Sequence, residues 1–73
     1  MNVAKPSMAT EFDNAADSLE RSAIKLRSAS KKFIEAGSSW QAEDALRKAI
    51  EAENKAAEAR EQAQKLRQQS KSP

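Results

Sequence analysis

The sequence predicts an all-α fold, an antiparallel two-helix hairpin with an alanine-rich coiled-coil seam, on three observations. The first is a ladder of small residues, Ala42, Ala45, Ala49, Ala52, Ala56, Ala59 and Ala63, closed by Leu66. Its steps alternate three and four residues, which keeps one narrow stripe of a helix facing one way. The second is a heptad of large apolar residues, Phe12, Leu19, Leu26 and Phe33, interleaved with Ala16, Ala23 and Ser30. The third is the only glycine, Gly37, which lies between the two patterns. A glycine with positive φ ends a helix at little steric cost.

Composition agrees with this reading and narrows the chemistry. Alanine, Glu, Lys, Arg and Gln dominate the 73 residues, and these are strong helix formers. Cysteine and histidine are both absent, so a disulfide cannot reinforce the core and the common zinc and iron sites lack their usual ligands. Catalysis would need a nucleophile, an acid–base group or a metal. With no His, Cys or Tyr and no glycine-rich phosphate loop, the chain reads as a non-enzyme without cofactor, metal or small-molecule substrate. Asp13, Asp17 and Glu20 share a helix face, which reads as a solvated face rather than a metal site. No apolar run approaches a membrane span or a secretory signal, so the expected setting is the cytoplasm, with no membrane partner.

Taken in order, residues 1–9 lack periodicity, contain Pro6 and read as a flexible N-terminal arm. Helix 1 is expected over about 10–36. Thr10 followed three residues later by Asp13 resembles a capping box, and Glu11 suits the positive helix end. Positions 37–39 read as the turn, with Ser38 as a candidate N-cap and Gln41 three residues on. Helix 2 is expected over about 40–68, with acid-before-base pairs four apart such as Asp44–Lys48 and Glu61–Lys65. Residues 69–73 read as a frayed tail.

Two signals fold the helices back on each other. When positions whose numbers add to 75 are paired, Phe12 meets Ala63, Leu19 meets Ala56, Leu26 meets Ala49 and Phe33 meets Ala42. The layers between set Ala16, Ala23 and Ser30 against Ala59, Ala52 and Ala45, so large faces small and small faces small throughout. Charge gives the second signal. Residues 11–20 carry four acids and no base, and residues 21–32 carry five bases and no acid. Helix 2 bears acids toward the turn and bases toward its end, so only an antiparallel hairpin opposes unlike charges. The same distribution also suits each helix dipole.

The segment 24–54 resembles a single tetratricopeptide-type repeat, and the related hairpins of SNAP-type adaptor proteins. The resemblance rests on Leu26, Ala29, Ser30 and Phe33 in the first helix, the Ala36-Gly37 turn, Trp40, and Ala42, Leu46 and Ala49 in the second. The proline that normally closes such a repeat is missing, and helix continues through Glu53-Asn54-Lys55. Only one copy is present, whereas these repeats stack three or more together. The resemblance implies a hairpin scaffold and a bias toward protein binding, and it assigns no ligand site.

A two-helix seam of this kind buries little apolar surface, so completion as a four-helix bundle by dimerisation is expected. Ile24, Ile34, Trp40, Leu46 and Ile50 lie beside the seam in the half near the turn and are the expected protein interface. The expected function is a non-enzymatic protein–protein interaction module, of the adaptor, inhibitor or chaperone kind, whose partner is a second copy or another protein. The alternative is nucleic-acid binding through Arg21, Lys25, Arg27, Lys31 and Lys32 on helix 1, a strip that contains no stacking aromatic.

Overall fold

The structure is a computed structural model and describes residues 7–70. Among them all regular structure is helical: α1 (Met8–Glu35) and α2 (Ser39–Ser70) pack against each other as a hairpin. Of the expected arm over 1–9, residues 1–6 lie outside the described residues, while Ser7 caps α1 and Met8 and Ala9 are helical. Of the expected tail over 69–73, residues 71–73 lie outside them, while 69–70 belong to α2.

Helix α1 starts one turn fragment earlier than the Thr10 capping box implied. Ser7 is the N-cap: its Oγ accepts from the Thr10 backbone N–H at 3.1 Å, and its carbonyl accepts from Glu11 N–H at 3.0 Å. Thr10 is therefore the third helical residue, and its hydroxyl pairs with Ser7 Oγ. The earlier start has a packing consequence. It brings Ala9 into the helix, where it is buried and extends the buried series Ala16, Ala23, Ser30 by one heptad. In the register of 75, Ala9 stands opposite Leu66, so large still faces small.

The turn is a Schellman motif. Gly37 adopts φ +80°, its N–H donates to Ile34 C=O at 3.0 Å, and Ser38 N–H donates to Phe33 C=O at 2.8 Å. These bonds satisfy α1 carbonyls that the helix end would otherwise leave open. Ser38 then caps α2, its carbonyl accepting from Ala42 N–H at 3.1 Å while its hydroxyl donates to the Gln41 side chain. Helix α2 begins at Ser39, one residue before the expected start, and runs two residues past the expected end at 68.

The core is narrower than the sequence pairing implied. Its buried residues are Ala9, Ala16, Ala23 and Ser30 from α1 and Ala42, Ala45, Ala49, Ala52, Ala56 and Ala63 from α2. Ala23 packs with Ala49 and Ala52, and Leu19 and Leu26 pack against that cluster, which supports the register. Phe12, Leu19, Leu26, Phe33 and Leu66 are only half-buried, and no large side chain among the described residues is fully covered. Small residues occupy the line of closest approach, and with nothing to hold the helices apart the large ones are displaced to its margin. Ser30 is the one polar residue in this core, and it is satisfied: its Oγ donates to Ala42 C=O at 2.8 Å. Ala57, off the ladder, is exposed.

Candidate functional site

The seam has two margins of different character. Along one of them α1 and α2 are bridged by ion pairs at heptad spacing: Asp13 to Arg67, Glu20 to Arg60, and Arg27 to Glu53. Each rung pairs positions whose numbers add to 80, so the rungs run parallel to the seam. Arg27 is bidentate, with Nε and Nη2 each 2.7 Å from a Glu53 carboxylate oxygen. Arg60 serves three acids. It binds Glu20 through Nε at 3.2 Å and also through Nη2, which lies 2.8 Å from Asp17 Oδ1, while its Nη1 lies 3.9 Å from Asp13. Asp13, Asp17 and Glu20 thus converge on a guanidinium.

These contacts perturb the groups that make them. Hydrogen bonding to Arg27 holds the Glu53 carboxyl below its ordinary range, and the same bonds raise Arg27. Hydrogen bonds donated to Glu20 and then to Asp17 push Arg60 further up. All lie in solvent, so their contribution is to orientation and register more than to stability. Sequence reading found the charge blocks but not Arg60. The missed signal was the heptad match of Glu53, Arg60 and Arg67 to Asp13, Glu20 and Arg27.

The fourth rung of this series is apolar: Ile34 and Leu46 also add to 80. They line a groove of about 250 Å³ together with Ser30, Ser39, Ala42 and Glu43. Ile24 lies four residues from Glu20 and three from Arg27, and Ile50 lies four from Leu46 and three from Glu53, so both share this margin. Trp40 does not. It lines a separate groove of about 240 Å³ with Leu26, Ala29, Phe33, Gln41, Asp44, Ala45 and Lys48. The hairpin therefore sets Trp40 apart from the other four expected interface residues. The tryptophan sits where the helix turns away from Ala42 by nearly half a revolution. All five are solvent-exposed, from 38% for Leu46 to 71% for Trp40.

Both grooves are shallow and fall short of the roughly 300–1,000 Å³ of a small-molecule pocket. Of the basic strip, Arg27 is committed to Glu53, whereas Arg21, Lys25, Lys31 and Lys32 are exposed and carry no ion pair among the described residues. Arg21, Lys25 and Lys32, spaced four and seven apart, face away from α2. No helix among the described residues is long and apolar enough to cross a membrane.

The arrangement defines an antiparallel helical hairpin whose core is alanine and whose large apolar residues remain at the surface. Comparison with protein families, curated proteins and solved structures finds no match to this chain.

Proposed function

We propose that this protein is a non-enzymatic protein–protein interaction module of the cytoplasm, which dimerises into a four-helix bundle and presents Ile24, Ile34, Leu46 and Ile50 to a protein partner. One observation carries the reading: every hydrophobic residue the hairpin buries is an alanine, while its isoleucines, leucines, phenylalanines and tryptophan stay wholly or partly in water. Exposed aliphatic groups gathered at one end of a helix pair are what a partner surface buries. Shallow grooves without convergent polar groups suit side chains of another protein better than a metabolite. The pattern shared with tetratricopeptide-type hairpins points the same way, toward adaptor-like binding.

Sedimentation equilibrium of the full chain tests the assembly, and Ile34→Asp with Leu46→Asp tests the patch. The double variant should retain its helix content and lose binding to the natural partner. A wild-type chain that stays monomeric and binds no protein refutes the proposal.

A second reading has one observation in its favour, the unpaired Arg21, Lys25 and Lys32 on the outer face of α1. Phosphate binding there would make Lys25→Glu with Lys32→Glu abolish gel retardation of DNA or RNA. Retardation that persists in the double variant rules it out.

A further inference from the structure

Helix α1 carries a second seam that α2 does not use. Phe12, Leu19 and Leu26 each have a small neighbour four positions on, Ala16, Ala23 and Ser30, and these lie buried under α2. All four large residues of the heptad, Phe33 included, also have a small neighbour three positions on: Ala15, Ser22, Ala29 and Ala36. Ala15, Ser22 and Ala36 are exposed and Ala29 is half-buried. Phe12, Leu19, Leu26 and Phe33 are thus half covered from one side, and the uncovered side continues as a stripe in steps of three and four.

We infer that a second copy of this chain covers this stripe, with the two α1 helices antiparallel about a two-fold axis level with residue 24. The inference rests on the self-association proposed above and specifies its face and register. Two-fold symmetry requires that if one residue faces another, the reverse contact also forms. Pairing positions that add to 48 satisfies this with large on small in every layer. Phe12 meets Ala36 of the second copy, Leu19 meets Ala29, Leu26 meets Ser22, and Phe33 meets Ala15. This is the alternation that α1 and α2 already use within the hairpin.

Charge agrees with the same register. The outer border of the stripe carries Glu11, Ser18, Lys25 and Lys32 at heptad spacing, all exposed. The intramolecular ion pairs lie five positions off their seam constant, 80 against 75. The same offset from 48 gives 43, which pairs Glu11 with Lys32 of the second copy and Ser18 with Lys25. A parallel pair would set Lys25 on Lys25 and Lys32 on Lys32.

The chain exposes 5908 Å², against about 4,500 Å² for a compact monomer of 8.0 kDa, so surface is left for a partner. The opposite margin favours this face. It is occupied by the Asp13–Arg67, Glu20–Arg60 and Arg27–Glu53 pairs, which a docking helix would have to desolvate.

Sedimentation equilibrium of the full chain over a concentration series tests the inference, with Trp40 emission as a second readout because Trp40 borders the groove beside Phe33. The wild type should be a dimer. Ala15→Glu and Ser22→Glu should each weaken dimerisation at least about a hundredfold, by placing an unpaired carboxylate against a large apolar side chain, with far-ultraviolet circular dichroism unchanged. Ser28→Glu, on the outer face, should leave the dimer intact. Glu11→Lys and Lys32→Glu should each weaken it, and the combined variant should recover. A wild type that is monomeric throughout overturns both the inference and the self-association it rests on. A dimer indifferent to Ala15→Glu and Ser22→Glu overturns this face and leaves self-association standing. A combined Glu11/Lys32 variant that does not recover overturns the antiparallel register.

Discussion

Enlarging single rungs of the alanine ladder tests the closeness of the seam. Ala49 is 0% exposed and Ala56 is 1% exposed, and Ala49 belongs to the buried cluster with Ala23 and Ala52 against which Leu19 and Leu26 pack. A leucine at position 49 adds three carbons where buried methyl groups already fill the space between the helices. The helices must separate locally, or Leu26, opposite in the register of 75, must shift outward. Overpacking of this kind costs about 1–3 kcal/mol. For a domain of this size each kcal/mol lowers the melting temperature by about 4–8 °C. Ala49→Leu should therefore melt about 5–20 °C below wild type in a circular dichroism scan. Ala56→Leu, which faces the half-buried Leu19 in the same register, should lose a similar amount. Ala57→Leu should change little, since Ala57 is exposed. All three scans belong at one protein concentration, because self-association makes the midpoint depend on it. Equal melting of the 49 and 57 variants would refute the register.

Gly37→Ala should destabilise the hairpin by about 1–2 kcal/mol, measurable by urea denaturation, because φ of +80° is costly for a residue with Cβ. An added Cβ there meets no atom within 4 Å, so the loss comes from backbone strain alone and Gly37→Asn should recover part of it. Acidification should weaken the ion-paired margin. The folded-state pKa of Glu53 is lowered, so its contribution is present above the unfolded value near 4.5 and is lost as pH falls through the folded value. Glu53→Gln should flatten that part of the stability profile against pH, and an unchanged profile would refute the role assigned to the Arg27–Glu53 pair.

Much of the fold was legible because it follows from spacing. The step pattern of the ladder, the heptad from Phe12 to Phe33 and Gly37 between them determine two helices, a turn and an antiparallel register. The N-terminus of α1 was displaced because Ser7 and Thr10 are both competent caps, and local pattern does not rank them. Ser7 prevails in a helix that thereby buries Ala9 against α2. The candidate surface was less legible. Trp40 shares with Ile34, Leu46 and Ile50 its nearness to the turn, yet near a turn neighbouring positions fan out around the helix and land on opposite margins. The ion-pair ladder does not show in blocks of charge, because Arg60 acts through its heptad relation to Glu20.

The role of the large residues is what structure changed most. In a pairwise register Phe12, Leu19, Leu26 and Phe33 look like knobs that alanines of α2 enclose. An alanine helix approaches so closely that it can cover only one side of each knob, because its own side chains do not reach around them. The small size of the ladder therefore has two effects that oppose each other. It brings the backbones together, and it leaves the α1 knobs half in water. A chain with leucines on α2 would enclose them and be finished as a hairpin, but it would also hold the helices farther apart. The alanine ladder thus specifies a tight hairpin whose large residues remain available for a further contact, and the small residues three positions beyond each knob shape the place where that contact is made.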